Sequence, residues 1–402
     1  MTLLDRLKAG ARSLLGNRRA DILSPMGPDA ESPGARDALS AIQELSRVVR
    51  NDPDAVEIYL ALGNLYRLRG DIERAVQIRS SLIVRPGLDP QFKARALFEL
   101  GRDYRRGGVM DRALAAFDEA RALGADPEQI TFELALLHAD SGAFQEAAAQ
   151  YARLGFRPAQ AHYMVRHAED LDRCGRPDEA RTLLAKAVKV YPGAVEAWRA
   201  RLVMAARAGE WRRAGKLLRE GLERVPASIR FLLLEGLLEL EAPAPRHGNG
   251  AVTPDGSGAN GAHGTNGAHG TNGAGTADFE EKRCATVLAA IEAQEPDLLL
   301  QYYGALFLLR CGNREEAGNW LAKAMVLRPD FWAARLELLS LSMEQQHLSP
   351  VFRSQLEYFI EHARKVKRFV CGSCGLRREH TFSVCPRCRS WHSATFRMSL
   401  QD

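Results

Sequence analysis

The segment LGNLYRLRGDIERA, residues 62–75, decides the fold of this chain. A small residue, Gly63, is followed by an aromatic ring at Tyr66, and a second glycine and an alanine follow at Gly70 and Ala75. In a repeated helix pair, a small residue allows the two backbones to approach closely, an aromatic ring fills the remaining gap, and a glycine serves the turn. The segment therefore predicts two packed helices with Gly70 between them.

The same order of residues recurs along the chain with a fixed period. The segment LGRDYRRGGVMDRA occupies residues 100–113, and later units follow in the same register. The turn glycines occupy positions 108, 142, 175 and 209, with spacings of 34, 33 and 34 residues. A period of about 34 residues is the length of one tetratricopeptide helix pair. The sequence thus predicts an all-α fold, a tetratricopeptide-repeat superhelical solenoid whose periodic Leu and Ala residues form a stacked core.

The repeats are predicted to form two blocks. The first block covers residues 38–240, and the second, which includes capping helices, covers residues 279–368. Between them, residues 241–278 contain the hexad GAHGTN twice in succession. Such a Gly/Asn/Ala tract buries too little apolar surface to offset its chain entropy, so we interpret it as a flexible insertion at the turn of one helix pair. Its role stays open. The final helix is predicted to begin at Ser349, which serves as its N-cap.

The end of the chain carries two Cys-x-x-Cys pairs with ten residues between them. Cys371 and Cys374 form the first pair, and Cys385 and Cys388 form the second. This spacing is typical of a tetrahedral metal site in which all four ligands are thiolates. Zinc suits such a closed site, and iron in a rubredoxin-like site is the alternative. Residues 369–402 are therefore predicted to form a small rubredoxin-like zinc ribbon with a structural metal.

Aromatic residues alternate with these ligands, at Phe369, Phe382, Trp391 and Phe396. They are predicted to form the core of the ribbon and its seam against the last helix, so that the ribbon packs against the end of the repeat array. The remaining cysteines occupy positions 174, 284 and 311. We expect them to be small buried or half-buried residues with no shared role.

The charge of the chain is concentrated at its ends. The net charge is +5, but residues 1–20 carry +4 and residues 362–402 carry +7, which leaves an acidic middle. Basic ends indicate anionic partners, with solvated surface charge as the alternative. Residues 1–37 are predicted to be a basic amphipathic segment, either on an anionic membrane surface or as a plain solvated helix.

Targeting signals are not evident in the sequence. No apolar run reaches the roughly 18 residues that a membrane span needs, and the N-terminus does not have the form of a secretory signal. We therefore expect a cytoplasmic chain without a transmembrane helix. A peripheral position on the cytoplasmic face of the inner membrane is one interpretation of the basic N-terminus.

Polar side chains on the first helix of each repeat usually line the concave surface of this fold. In this chain they are mostly arginines, which favour an acidic peptide or a terminal carboxylate as the partner. The residues predicted to bind partners are Asn64, Arg67, Arg102, Arg105, Arg106, Arg173, Arg199 and Arg207.

The repeats and the ribbon together resemble the lipopolysaccharide assembly protein B family, which combines tetratricopeptide repeats with a C-terminal rubredoxin-like metal domain. Residues 62–75, 100–104, 111–113 and 371–391 carry the resemblance, and the last of these contains Cys-Pro-x-Cys-x-x-Trp. By resemblance, the four ribbon cysteines are the metal ligands. The chain departs from the family in two respects: it has no N-terminal transmembrane helix, and it contains the long Gly-rich insertion.

The resemblance also implies a function. That family acts at the cytoplasmic face of the Gram-negative inner membrane, where it helps a membrane AAA protease to degrade the deacetylase of the committed lipid A step. We therefore expect a non-enzymatic adaptor that regulates lipopolysaccharide synthesis. A general tetratricopeptide scaffold and a nucleic-acid-associated factor that uses the basic ribbon are the alternatives. Nucleophile–base motifs, phosphate loops and open metal sites are not found in the sequence, so an enzyme has least support.

Overall fold

The repeats and the ribbon are both present in the computed structural model, which describes residues 35–51, 55–240 and 274–398. Within these residues the chain forms seventeen α-helices, one short 3-10 helix and a three-stranded sheet. Residues 1–34 of the predicted N-terminal segment and residues 241–273 of the predicted insertion lie outside the described residues. The all-α tetratricopeptide solenoid with a small four-cysteine ribbon is thereby confirmed as the fold class.

The helices follow one another in pairs separated by short turns. The first nine are α1 Ala35–Asn51, α2 Val56–Arg69, α3 Ile72–Ile83, α4 Pro90–Arg106, α5 Met110–Ala122, α6 Pro127–Asp140, α7 Phe144–Arg153, α8 Arg157–Arg173 and α9 Pro177–Val190. The remaining eight are α10 Val195–Arg207, α11 Trp211–Arg224, α12 Phe231–Leu238, α13 Ala274–Glu292, α14 Leu298–Arg310, α15 Arg314–Leu327, α16 Trp332–Gln345 and α17 Pro350–Arg364.

The described residues divide into two compact units, and the boundary falls within α10. Unit 1 comprises residues 35–51, 55–197 and 367–397, and unit 2 comprises residues 198–240, 274–366 and 398. Ile42, Leu45 and Ile58 are among the buried residues that begin the core of unit 1, so the incomplete repeat before residue 62 takes part in it. Trp198 and Trp320 are among the largest fully buried side chains of unit 2.

The turn glycines adopt the backbone conformation that their spacing predicts. At positions 108, 142, 175 and 209 the φ angles are 75°, 77°, 76° and 75°, all in the left-handed region. Side chains other than glycine rarely adopt this region, so each position favours glycine and ends the first helix of its pair. The left-handed glycine conformation therefore recurs with the same period as the sequence repeat.

Helix starts are fixed by side-chain caps. The Asp89 carboxylate accepts the Gln91 N–H at 2.7 Å, and Pro90 occupies the first turn of α4. The predicted cap at the last helix is confirmed, because the Ser349 hydroxyl oxygen accepts the Phe352 N–H at 3.3 Å. These caps satisfy backbone donors that have no partner inside the helix.

The cysteines outside the ribbon correct the expectation from the sequence. Cys174 is exposed. Cys284 of α13 and Cys311, the residue after α14, form a disulfide with a Cα–Cα distance of 6.7 Å. The sequence could not show this pairing, because the stacking of successive helices in unit 2, rather than the spacing along the chain, brings the two residues together.

The chain has no candidate transmembrane helix within its described parts, because no helix there combines the length and the apolar character that a bilayer span requires.

Close helix packing in unit 1 requires a glycine at position 101. A Cβ atom there would lie 2.6 Å from the ring of Phe117, which is fully buried in the facing helix α5. Gly318 of α15 has open space around the equivalent atom. We expect Gly101→Ala to lower the free energy of unfolding by about 1–3 kcal/mol, because the added methyl overpacks the core.

The matched control is Gly318→Ala, which should raise the free energy of unfolding by about 0.5–1 kcal/mol because alanine favours the helix and meets no neighbour. Calorimetric unfolding of both variants measures the two changes. Shifts of the same sign and size would contradict the close-packing explanation.

Candidate metal centre

The ribbon is built on a small antiparallel sheet. Its strands are β1 Phe369–Cys371, β2 Arg377–Arg378 and β3 Ala394–Phe396, in the order β2-β1-β3. Phe369 pairs with Phe396 across β1 and β3, and their rings meet edge to face at 5.7 Å. The sheet places Cys371 at the end of its central strand and so fixes the start of the first cysteine pair.

Both cysteine pairs form turns of the same geometry. In the first, the Gly375 N–H donates to the Cys371 carbonyl at 2.9 Å, and in the second the Arg389 N–H donates to the Cys385 carbonyl at 2.9 Å. The residue after each pair is left-handed, with φ of 70° at Gly375 and 59° at Arg389. Glycine adopts this conformation readily, whereas arginine rarely does, so the sequence gives no signal of the left-handed position at Arg389.

The four sulfur atoms converge on one point. All four Sγ atoms lie within 4.8 Å of one another, and the Cys371–Cys388 and Cys374–Cys385 sulfurs are each 3.6 Å apart. A tetrahedral thiolate site with metal–sulfur bonds of about 2.3 Å needs sulfur separations of about 3.8 Å. Cys371, Cys385 and Cys388 are at most 1% exposed. The donor set therefore fits one enclosed metal ion, and all four ligands come from the protein.

Hydrogen bonds favour the charged form of one of these sulfurs, that of Cys371. Burial raises the pKa of Cys371, but the Ser393 hydroxyl and the N–H groups of Cys374 and Ser373 outweigh it and lower that pKa to about 6. The Ser393 Oγ lies 3.2 Å from the Cys371 sulfur, and the Ser390 Oγ lies 3.1 Å from the Cys388 sulfur. The sequence gives no indication of these two serines as supports of the site.

At Cys374 and Cys385, hydrogen bonds do not outweigh the effect of burial. Burial raises the pKa of Cys374 to about 12 and also raises the pKa of Cys385, where the neighbouring sulfurs add to the effect. Four thiolates so close together repel one another, and a divalent cation offsets that repulsion. The arrangement can therefore hold a metal ion, and it offers no position to a substrate when four ligands are bound.

Trp391, three residues after Cys388, joins the ribbon to the repeats. The ring of Trp391 lies 6.4 Å from Tyr151, 5.9 Å from Phe156, 5.2 Å from His162 and 6.2 Å from Tyr163, measured between centroids. All four contacts are edge to face, which is a favourable arrangement for aromatic pairs. The sequence prediction placed this seam on the last helix, and the structure places Trp391 against α7 and α8 in unit 1 instead. Trp391 is more than 200 residues from α7 and α8 along the chain, and only folding brings them together. The short connection between the last helix and the ribbon therefore gave no indication of this contact.

A carboxylate completes this contact. The His392 Nε2 lies 3.0 Å and 3.1 Å from the two oxygens of Glu196, and the His162 Nδ1 lies 3.2 Å from one of them. The His392 ring also stacks on Tyr191 at 6.2 Å. Burial opposes ionisation of Glu196, but the hydrogen bonds from both histidines hold its pKa well below the ordinary range. Glu196 thus links the ribbon to α8 and α10 of unit 1.

Comparisons with known proteins identify the repeats. A family model for the tetratricopeptide repeat matches residues 34–83, 98–161 and 165–229. Lipopolysaccharide assembly protein B of Escherichia coli strain K12 is 38% identical over 72 residues, which span 18% of this chain and 18% of that protein. The protein of the same name from Haemophilus influenzae is 27% identical over 191 residues, which span 44% of this chain and 46% of that protein.

The chain resembles lipopolysaccharide assembly protein B. This confirms the resemblance drawn from the repeats and the cysteines. The matched segments span less than half the length of these relatives. Among solved structures, the crystal structure of MamA protein matches 46% of this chain and 92% of its own at 21% identity and a TM-score of 0.33, too low to bear on function.

Two of the predicted partner-binding residues, Asn64 and Arg67, lie in a buried ion-pair network. Asn64 and Arg67 are 7% and 8% exposed. Arg67 donates to the Asn64 Oδ1 at 2.9 Å and pairs with Glu99 at 2.7 Å and with Asp103 at 3.1 Å. Arg79, fully buried, pairs with the same Asp103. A partner that binds Asn64 or Arg67 has to compete with the ion pairs and hydrogen bonds that these residues already make inside the protein.

The network continues into the next repeat. Arg102 lies 3.3 Å from Glu99 and 2.9 Å from Glu133. Arg105 lies 3.2 Å from Glu133 and 2.6 Å from Asp140. Both arginines keep part of their side chains exposed, so they are accessible on the surface of unit 1 as well as paired.

The other predicted partner-binding residues are more exposed and more scattered. Arg106 and Arg207 are exposed, Arg173 pairs with Asp170, and Arg199 pairs with Glu239. Arg199 and Arg207 belong to unit 2, whereas the other six residues belong to unit 1. The partner-binding role of all eight residues stays a prediction.

The left-handed conformation of Arg389 provides a test of the second turn. A non-glycine residue in this region costs about 1–2 kcal/mol. We expect Arg389→Gly to remove that strain and to stabilise the metal-loaded ribbon by about 1 kcal/mol, so that a chelator removes the metal less readily. Gly375→Ala, the matched change in the first turn, should have the opposite effect because its φ is 70°. Competition with a chelating dye measures both, and equal affinities in the two variants would contradict the strain.

The Glu196 carboxylate provides a test of the contact between ribbon and repeats. We expect Glu196→Gln to weaken it by about 1–3 kcal/mol, because a neutral amide cannot serve both histidines as an ionised carboxylate does. Because the contact lowers the pKa of Glu196, its contribution is present above the ordinary value of 4.5 and is lost as the pH falls below that value.

The measurement is the NMR signal of the Trp391 indole N–H, assigned with Trp391→Phe. It should move toward the position of a solvent-exposed indole in Glu196→Gln at neutral pH and in the unmodified chain at acid pH. A signal that is unchanged in Glu196→Gln would show that Glu196 does not hold the ribbon.

Proposed function

We propose that the chain is a non-enzymatic adaptor of the lipopolysaccharide assembly protein B type. In this role it regulates lipopolysaccharide synthesis by bringing a lipid A pathway deacetylase to a membrane AAA protease. The similarity to the two curated relatives supports the adaptor class, and tetratricopeptide repeats support binding to proteins. The observation that carries the proposal is the contact of Trp391 and His392 with the repeats of unit 1.

This contact matters because an adaptor has to hold two partners in a fixed relation. A ribbon on a free tether would lose that relation, since a flexible connection permits many orientations. The aromatic contacts of Trp391 and the charged contacts of Glu196 hold the ribbon on the repeats at two neighbouring points. The surfaces of the ribbon and of the repeats can therefore act as one binding body.

Zinc is the metal proposed for the site. A closed tetrahedral site of four thiolates suits zinc, which needs no redox chemistry there, whereas iron is the rubredoxin-like alternative. Cys371, Cys374, Cys385 and Cys388 would hold the ion. When bound, it supplies a structural crosslink, because the four protein ligands leave no position for water or substrate.

The eight residues named from the sequence are proposed to bind partners, six of them in unit 1 and two in unit 2. Arg106 and Arg207 offer exposed guanidinium groups, and Arg102 and Arg105 offer partly exposed ones. An acidic segment of a partner can replace Asp140, whose side chain is 35% exposed, as a counter-ion of Arg105. Such an exchange of ion pairs favours partners whose carboxylates are spaced to match, and so contributes to specificity.

The adaptor is proposed to work in the cytoplasm, on the cytoplasmic face of the inner membrane. The membrane AAA protease of the proposal requires that location, and the cluster of positive charge in residues 362–402 fits an anionic surface. Nucleic acid is not part of this proposal.

The adaptor role predicts the behaviour of a ligand variant in cells. Depletion of the chain should lengthen the half-life of the deacetylase several-fold, and Cys385→Ser should have the same effect because it removes one of four metal ligands. Pulse-chase measurement of the deacetylase gives the half-life. Metal analysis of the purified proteins should find one equivalent of zinc in the unmodified chain and a loss of it in Cys385→Ser.

Cys174→Ser is the matched control. Cys174 is an exposed thiol outside the cluster, so its loss should leave both the metal content and the deacetylase half-life unchanged. An unchanged half-life after depletion would reject the adaptor role in favour of a general scaffold. If the metal analysis found iron in place of zinc, the identity of the metal would be corrected and the adaptor role would be unaffected.

A further inference from the structure

The disulfide between Cys284 and Cys311 in unit 2 takes no part in the metal centre. Of the other cysteines, four converge in the ribbon and Cys174 is an exposed single thiol. Cys284 is 8% exposed, whereas Cys311 is only partly buried. The disulfide therefore joins one cysteine that small reagents can reach to one that the surrounding helices shelter.

The disulfide fastens α13 to α14 at the end away from their loop. Residues 293–297 connect the two helices at one end. Cys311 follows directly after α14, so it lies about 20 Å from that loop along the helix, at 1.5 Å per residue. Cys284 belongs to α13, and its Cα is 6.7 Å from that of Cys311. The loop and the disulfide together hold the two helices at both ends of their contact.

The helix α13 lies between the repeats that precede it and those that follow it. At Gly215, α11 approaches α13 so closely that a Cβ there would lie 2.3 Å from the nearest atom of α13. The Arg283 guanidinium of α13 lies 4.7 Å from the ring centroid of Trp211 in α11 and 5.4 Å from that of Phe307 in α14. Cys284 is the next residue, so the disulfide fixes α13 beside the side chain that contacts both neighbours.

The chain connects α13 to the preceding helix only through a long segment. Residues 239–273 separate the end of α12 from the start of α13. The entropic cost of closing a connection rises with its length, so this segment holds α13 less firmly than a short turn would. The bond to Cys311 supplies a second connection, and we expect it to stabilise α13 chiefly by restricting the unfolded chain.

The proposed location of the chain favours a labile disulfide. In the cytoplasm, glutathione and thioredoxin keep thiols reduced, and the disulfides that form there are usually transient, catalytic or redox-sensing. Exposed disulfides are reduced more readily than sheltered ones. Because Cys311 is partly exposed, a small thiol can attack its sulfur. The oxidised pair is therefore expected to be one of two states of the chain.

We propose that Cys284 and Cys311 form a reversible thiol–disulfide switch that fastens α13 to α14 when oxidised and releases it when reduced. Glutathione disulfide is the oxidant. The Cys311 thiolate attacks one glutathione sulfur and expels a glutathione thiolate, and the Cys284 thiolate then attacks the Cys311 sulfur and expels the second. Each cysteine loses one proton, and the two electrons leave on the two glutathione molecules. The proposal rests on the proposed function only through the cytoplasmic location.

The experiment uses the full metal-loaded chain, equilibrated with mixtures of reduced and oxidised glutathione, quenched with acid and digested for mass spectrometry. The peptides that contain Cys284 and Cys311 should be joined after oxidising mixtures and separate after reducing ones. Amide hydrogen exchange of residues 283–292 should be at least about tenfold slower in the oxidised chain, because the bond opposes local opening of α13.

The variants separate this pair from the other thiols. Cys284→Ser and Cys311→Ser should each show the exchange of the reduced chain in every mixture. Cys174→Ser, the matched control, removes an exposed thiol outside the pair and should keep the full redox response. Circular dichroism checks that the variants fold, and if Cys284→Ser does not, Cys311→Ser supplies the test.

Three results would overturn the switch. Peptides that stay joined in excess reduced glutathione would show a permanent crosslink instead. A stable glutathione adduct at Cys311 without joined peptides would show that the pair does not close. Equal hydrogen exchange in the two states would show that the bond does not fasten α13. None of these results bears on the adaptor role, because the test contains neither protease nor deacetylase.

Discussion

The convergence of four sulfur atoms at one point fixes the second cysteine turn, and that turn supplies the side chains that hold the ribbon on the repeats. Cys388 is followed at once by Arg389 in a left-handed conformation and by Ser390, whose hydroxyl lies 3.1 Å from the Cys388 sulfur. Trp391 comes next, and His392 is again left-handed, with φ of 48°. Two left-handed residues so close together turn the chain sharply. As a result, the indole and the imidazole point at the repeats while the sulfur points at the metal position.

A second constraint comes from the charges inside unit 1. Carboxylates and guanidinium groups alternate from Arg67 through Glu99 to Asp140 across successive repeats. Removing one partner of a buried pair costs about 3–5 kcal/mol, whereas an exposed pair contributes about 0–1 kcal/mol. The inner end of this series, at Arg79 and Asp103, is therefore structural, whereas Arg105 at its outer end also pairs with Asp140, whose side chain is 35% exposed. We therefore expect the proposed recognition of partners by charge to use the partly exposed members.

The sequence predicted the elements whose signal is local. The period of the turn glycines is visible because each left-handed turn needs its own glycine. The metal site is visible because each turn of the ribbon holds two cysteines with two residues between them. The contact of His392 with Glu196 spans a sequence separation of 196 residues and has no local signal. The partners of Arg102 and Arg105 were missed for the same reason, since Glu133 comes from the next repeat and becomes a neighbour only when the helices stack.

The free energies of metal binding and of the docking contacts indicate the order in which the ribbon folds and then docks on the repeats. A four-cysteine ribbon has too small an apolar core to fold alone, so the free energy of metal binding, about 10–16 kcal/mol for structural zinc in small peptides, is largely its folding free energy. The docking contacts are individually smaller, at about 0.5–1.5 kcal/mol for an aromatic pair and about 1.5–3 kcal/mol for a charged hydrogen bond. Binding of the proposed metal is therefore expected to precede docking, because Trp391 and His392 are oriented only in the folded ribbon. We do not expect the converse, because the docking contacts are the weaker ones and the ribbon can leave the repeats while the proposed metal stays bound. Changes at Glu196 can consequently alter the contact between ribbon and repeats while the metal site stays intact.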